Sequence, residues 1–184
     1  MRQGRRVNIF LSIFLIGSLF GCATQHHKHS VSLPDENAKL VSFKPGSEPD
    51  GFGGIKWETE LSTLDGMIHY RRDPSHGGIE FYTKERNTLK LGKGKFRTIQ
   101  YGFWKGKFYV GMITTQGLSN WNALKEAVID KYGEGARLFS NKEEFLWVGK
   151  DAVMALRYDE ISKKGVYYIR SDSMKERMES KTTP

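Results

Sequence analysis

The stretch that decides the fold is Thr98–Met112, which reads TIQYGFWKGKFYVGM. Two runs of alternating apolar residues flank Lys105-Gly106, a pair suited to a two-residue turn because glycine tolerates the positive φ angle that such turns need. The stretch therefore predicts an antiparallel hairpin with all of its large alternating side chains on one face. In this register the facing pairs are Phe103 with Phe108, Tyr101 with Val110, and Ile99 with Met112.

A helix is predicted directly after this hairpin, over about residues 119–132. Its apolar stripe recurs at helical spacing, and Gly133 follows it as a natural stop. Ser119-Asn120 offers an N-cap. We expect the stripe to pack on the sheet rather than to form a binding face; its members are Trp121, Leu124, Val128 and Tyr132.

A second hairpin is predicted where Glu144–Val148 and Ala152–Tyr158 flank Gly149-Lys150-Asp151. A turn at Lys150-Asp151 pairs Trp147 with Met154 and Phe145 with Leu156. A three-residue loop would give a different register, so both alternatives stay open at this point.

The remaining pattern gives an α+β domain, a mostly antiparallel sheet of five to seven strands packed against one main helix. Further strands are predicted at Ile79–Lys84 and Val166–Arg170, with a strand entry at Gly51–Trp57 and a short helical turn at Ser62–Met67. We place one domain at residues 51–172 and a polar tail or short helix at 173–184. The pattern G-I-x-W at 54–57, with Y-G-F-x-x-G-K-F at 101–108 and Y-G at 132–133, resembles small exported bacterial proteins and implies no activity.

The amino-terminal residues have the features of a secretory signal at 1–21. Arg2, Arg5 and Arg6 precede the run VNIFLSIFLIGSLF at 7–20, which is short for a transmembrane helix. The run ends in Leu19-Phe20-Gly21-Cys22, which resembles the lipobox of bacterial lipoproteins. The alternatives are an ordinary secretory signal, in which Cys22 is incidental, and an uncleaved anchor.

The lipobox resemblance implies cleavage between Gly21 and Cys22, diacylglycerol on the Cys22 thiol and acylation of its new amine, palmitate being a typical acyl group. Cys22 is the only cysteine, so no thiol is left for a disulfide or for catalysis. Ala23, rather than aspartate, favours the outer membrane facing the periplasm. Residues 22–50 are expected to be a lipidated flexible tether, since they are polar and rich in turn formers.

The net charge of the chain bears on which binding partners are expected. The chain carries a net +8, which becomes +5 once residues 1–21 are removed. An exported protein meets anionic lipids or cell-wall polymers rather than nucleic acid, so we expect no nucleic-acid partner. Plain solubility is the alternative explanation of the charge.

No motif for a nucleophile, a phosphate loop or a metal stands out, and we expect no catalytic residue, cofactor or metal site. His26, His27 and His29 lie in the predicted tether, which offers nothing to orient a metal ligand. The segment from His69 to Glu80 contains imidazoles, acids and the pair Arg71-Arg72, but its Asp-Pro and Gly-Gly steps are typical of a solvated loop.

Two basic features are candidates for contact with an anionic surface. Lys105 and Lys107 flank the hairpin tip, where Trp104 could add an aromatic contact. Lys90, Lys93, Lys95 and Arg97 precede the hairpin. Strand rise separates Arg97 from Lys105 by about 25 Å, so the two features need not form one patch. Charged protection of a sheet edge is the alternative.

The sequence thus predicts a lipid-anchored cell-envelope protein that acts as a binding or interaction module, with the membrane and an envelope protein or anionic polymer as its partners. The alternatives are an envelope enzyme using the His69–Glu80 segment and a structural accessory subunit of an envelope assembly.

Overall fold

The structure, a computed structural model, describes residues 40–75, 78–87 and 89–180. Ten strands and two helices follow one another in it: β1 Gly51–Phe52, β2 Ile55–Lys56, β3 Met67–Asp73, β4 Ile79–Lys84, β5 Phe96–Trp104, β6 Lys107–Gln116, α1 Leu118–Tyr132, β7 Ala136–Arg137, β8 Glu144–Val148, β9 Ala152–Asp159, β10 Lys164–Ser171 and α2 Asp172–Ser180. A short 3₁₀ turn spans Leu61–Thr63, close to the predicted helical turn.

The predicted α+β class is confirmed. Eight strands form one antiparallel sheet in the order β3-β4-β5-β6-β10-β9-β8-β7, and β1 and β2 form a separate small hairpin. The sheet is larger than the five to seven strands predicted. The sequence pattern does not predict the short β7 or the strand β3, since the polar residues of β3 are typical of a loop.

The first hairpin has the predicted turn but only part of the predicted register. Phe103 pairs with Phe108, as expected, and a β-bulge then makes Tyr101 face Gly111 and Ile99 face Ile113. The bulge inserts one extra residue into β6, which reverses the faces of the residues that follow it. Val110 and Met112 therefore lie on the face opposite to Phe108.

The second hairpin follows the Lys150-Asp151 alternative. Trp147 pairs with Met154, and Phe145 pairs with Leu156. All four side chains belong to the core on the α1 face of the sheet or pack against it.

Helix α1 packs on the sheet as predicted. Trp121, Leu124 and Val128 are fully buried, and Gly133 ends the helix with a φ of 82°. The predicted cap is wrong, because the helix begins at Leu118 after Gly117 and has no side-chain cap. Asn120 instead bonds to Gln116 and to the backbone of Lys95.

The second face of the sheet is covered in part by α2. Met174 and Met178 are buried against side chains of β4, β5 and β6, including Phe81, Tyr109 and Met112. Of the two alternatives predicted for residues 173–184, a polar tail or a short helix, the structure has the helix, which spans Asp172–Ser180 and is packed on the sheet.

Residues 41–50, which we assigned to the tether, contact the domain. Phe43 is buried and meets Tyr132 edge-on, and Val41 forms a β-bridge with Trp147. Glu48 accepts hydrogen bonds from the backbone of Asp151 and Ala152. These isolated contacts have no periodicity, which is why sequence patterning placed the boundary too late. In the part of the chain described here, no helix is long and apolar enough to span a membrane.

Candidate anion-binding surface

The predicted lipidation site falls outside the described residues. Gly21, Cys22 and the segment 1–39 have no structural account here, so the anchor stays a prediction. The candidate sites that can be located lie on β3 and β4, at the tip of the β5–β6 hairpin, and on the β4–β5 connection.

The His69–Glu80 segment is an edge hairpin rather than a loop. His69 and Arg72 on β3 both approach the Glu80 carboxylate on β4, with His69 Nε2 at 2.8 Å and Arg72 Nε at 3.2 Å. Arg71 points to the other face, where its guanidinium lies over the Phe81 ring and donates to Gln100. The two arginines are therefore not a joint anion clamp.

The His69–Glu80 pair is solvent-exposed, with 54% and 38% of the side chains accessible. Neither group lies in either of the two clefts described below. His76, the second imidazole of the segment, lies outside the described residues. The pair accordingly has the character of a surface ion pair that holds β3 on the sheet.

The hairpin tip does not present an aromatic contact. Trp104 is only 7% exposed and packs in the cluster beneath α2, whereas we expected it at the surface. The register explains this, because Trp104 lies on the second face of the sheet next to Ile79 of β4. Lys105 lies over the Trp104 ring, and Lys107 pairs with Glu60 at 3.6 Å.

The excess positive charge of the domain is confined to one segment. Residues 84–97 contain six Lys or Arg and one Glu, a net +5. The other described residues contain 17 Lys or Arg and 18 Asp or Glu, a net −1. We call residues 84–97 the basic strip; its cationic members are Lys84, Arg86, Lys90, Lys93, Lys95 and Arg97.

Two glycines hold the basic strip against the outer side of α1. A Cβ on Gly92 would lie 2.7 Å from the Ala123 carbonyl oxygen, and one on Gly94 would lie 2.9 Å from the Asn120 carbonyl oxygen. Only glycine permits this approach, and Gly92 also has a φ of 68°. The loop backbone therefore lies on the helix, while Lys90, Lys93 and Lys95 are exposed.

Two clefts flank the basic strip. One, of about 490 Å³, lies between the strip, the segment 46–56 and the last turn of α1. The other, of about 670 Å³, lies between the strip and the outer side of α1. Lys90, Leu91 and Lys131 line both clefts, so a cation from the loop and a cation from the helix face the same space.

Two tyrosines, Tyr132 and Tyr167, line the first cleft. Burial together with the neighbouring Tyr132 hydroxyl raises the pKa of Tyr167 well above its usual value. Acidic side chains also reach the clefts: Asp50 pairs with Lys56 at 3.5 Å, and Glu126 and Asp130 lie beside Lys93. The basic strip thus presents exposed cations next to clefts that are lined by both acidic and basic side chains. This arrangement is suited to contacting anionic groups that are separated from one another.

The sequence pattern indicated Lys90, Lys93, Lys95 and Arg97 of the strip but not Lys84, Arg86, Lys131 or the clefts. Lys131 lies on α1, more than 30 residues further along the chain, and no local pattern connects it to Lys90. Among the described residues, no group of three His, Cys, Asp or Glu side chains is placed to hold a metal ion.

Comparison with known proteins adds no relative: no family model, no curated protein and no solved structure matches this chain.

Proposed function

We propose that this protein is a lipid-anchored module of the cell envelope, held through Cys22, that binds an anionic envelope polymer along the basic strip. The observation that carries the proposal is the confinement of the whole positive excess of the described domain to residues 84–97. A charge excess that served solubility alone would have no reason to occupy one loop.

The position of the strip supports a polymer as the ligand. Its lysines lie on an exposed loop between two clefts rather than around one deep pocket. A polymer with repeated phosphate or carboxylate groups can contact several such cations at once. The lipobox resemblance at 19–22 supports an envelope location, facing the periplasm from the outer membrane.

The two alternatives have less support. An enzyme using the His69–Glu80 segment would need a substrate site, and both side chains are exposed on an edge strand. A purely structural subunit would need an exposed apolar sheet face on which a partner could pack, but α2 packs on the second face through Met174 and Met178.

The binding test compares two double variants of the full chain. Lys90→Gln/Lys93→Gln removes two cations of the strip, and Lys105→Gln/Lys150→Gln removes two exposed cations from the β5–β6 and β8–β9 turns. We expect the first variant to bind inorganic polyphosphate, a soluble probe with repeated phosphate groups, about fivefold or more weakly than the second, with the difference shrinking at high salt. Equal affinities of the two variants would remove the basic strip from the proposal.

The lipid anchor is tested separately, by mass spectrometry of the protein. Wild-type protein recovered from membranes should carry a mass increase on the peptide beginning at Cys22, and Cys22→Ser should lose it. An unmodified Cys22 in membrane-recovered protein would contradict the anchor without bearing on polymer binding.

A further inference from the structure

We infer that the end of the sheet where α1 begins docks on the surface of an anionic bilayer. This docking end consists of two exposed apolar side chains, Leu118 and Ile161, and four exposed cations, Lys95, Arg97, Lys163 and Lys164. The inference rests on the proposed lipid anchor for bringing the domain to a membrane, and it concerns residues other than the Lys90–Lys93 portion of the strip.

The two apolar side chains are among the most exposed of the described domain. Ile161 is 95% accessible and Leu118 is 57% accessible. Two hydrogen bonds join the segments that carry them, from the Gly117 N–H to the Lys163 carbonyl oxygen at 2.8 Å and from Gln116 Nε2 to the Ser162 carbonyl oxygen at 2.9 Å. The start of α1 and the β9–β10 turn therefore present Leu118 and Ile161 at the same end of the molecule.

The β9–β10 turn holds its shape through an internal carboxylate. Asp159 accepts hydrogen bonds from the backbone N–H and the hydroxyl of Ser162, both at 2.7 Å, and these bonds lower the pKa of Asp159. The Asp159 carboxylate thus accepts its hydrogen bonds from within the turn. Ile161, between the two bonded residues, extends into solvent.

Cations surround the apolar pair. Lys95 is placed by the bond from its backbone N–H to Asn120 Oδ1, and Arg97 by its bond to Gln116 Oε1. Lys163 and Lys164 continue the turn after Ile161. The acids of the turn itself are Asp159 and Glu160, and Glu143, which lies across from Tyr158, is paired with Lys125 and Arg137.

This combination fits a bilayer better than a soluble polymer. Exposed Leu and Ile gain by entering the interface between headgroups and acyl chains, while Lys and Arg around them meet anionic headgroups. A hydrated polyanion would satisfy the cations but leave both apolar side chains in water. Each cation near an anionic lipid surface strengthens binding by about fivefold.

The anchor leaves enough chain for docking. The 18 residue steps from Cys22 to Leu40 have a contour length of about 60 Å. A domain of this size has a radius of gyration of about 14 Å. The lipid and the docking end can therefore reach one bilayer together.

The test places a tryptophan at each of two exposed isoleucines. Ile161→Trp reports on the docking end, and Ile68→Trp, on β3 with 52% exposure, is the matched control. Both full-length proteins, purified from membranes, are reconstituted in vesicles of phosphatidylglycerol and phosphatidylcholine brominated near the headgroup. The wild-type protein gives the fluorescence quenching of the four native tryptophans, which is subtracted from that of each variant.

We expect bromine to quench Ile161→Trp at least twofold more than Ile68→Trp. The difference should fall when phosphatidylglycerol is omitted or when Lys163→Gln/Lys164→Gln is added. Equal quenching at the two positions, or quenching at neither, would refute the inference that this end of the sheet docks on an anionic bilayer. Flotation of the same samples distinguishes the docking end from the anchor, because a protein that floats without selective quenching at position 161 keeps its anchor and lacks the docking end.

Discussion

Glu144 shows how one buried group sets a pH dependence. It is 7% exposed on β8, and burial raises its pKa, an effect that the charges of Arg157 and Lys142 partly oppose. Between the unfolded value of 4.5 and the raised value, the folded protein keeps a proton that the unfolded chain loses. The free energy of unfolding must therefore fall as pH rises through this window.

Glu144→Gln is expected to remove that dependence. Above the raised pKa the variant should be more stable than wild type, because it has no buried carboxylate to ionise. At about pH 3.5, where both states of Glu144 are protonated, the two proteins should be equally stable. Urea unfolding at several pH values measures the difference. Glu134→Gln, an exposed substitution, is the control, and a pH-independent difference for Glu144→Gln would refute this account.

At the scale of elements, the β4–β5 loop and α1 determine each other's position. Gly92 combines a positive φ with close contact to α1, whereas Gly46 has a similar φ of 75° and no atom within 4 Å of an added Cβ. Substitutions at the two glycines therefore distinguish the cost of a positive φ angle, which both share, from the cost of steric contact with α1, which only Gly92 has.

Gly92→Ala should be more destabilising than Gly46→Ala. We expect about 1 kcal/mol for Gly46→Ala, from the positive φ alone, and about 1–3 kcal/mol more for Gly92→Ala, because the loop must move away from Ala123 and Ala127. Chemical denaturation of both variants gives the comparison. Equal losses would mean that the loop does not lie on the helix as described.

At the scale of the whole molecule, Glu48 joins the amino-terminal segment to the β8–β9 turn. Its Oε1 accepts hydrogen bonds from the Asp151 N–H at 2.6 Å and the Ala152 N–H at 3.0 Å, across more than 100 residues. Phe43 and Val41 pack nearby on residues of α1 and β8. The domain therefore includes the segment from Val41 on, which we had expected to belong to the tether.

Glu48→Ala is expected to lower the free energy of unfolding by about 1–3 kcal/mol, since bonds to a charged acceptor are lost. It should also speed proteolysis within residues 41–50. Glu48→Gln keeps one acceptor oxygen and should lose less, while Glu134→Ala should change stability by less than about 0.5 kcal/mol. Cleavage in this segment at the wild-type rate would show that it is not held by Glu48.

Local sequence patterns identified the first hairpin turn and left two alternatives for the second, and a bulge changed most of the register that the first turn predicts. The Lys150-Asp151 turn determined every pair of the second hairpin, and the spacing of Trp121, Leu124 and Val128 identified the buried stripe of α1. Most of the strip lysines were also visible, because they are close together in sequence. Lys131 was not, because its proximity to Lys90 depends on how the loop lies on the helix.

By itself, the sequence determined the antiparallel α+β class, the main helix, the first hairpin turn and the charge of residues 84–97. These properties depend on periodicity and turn chemistry within a dozen residues. Only the tertiary structure decided the bulge in β6, the burial of Trp104 and Met174, and the end of the sheet at which Leu118 meets Ile161. Those features arise from contacts between distant segments, where side-chain packing on both faces of the sheet overrides any local pattern.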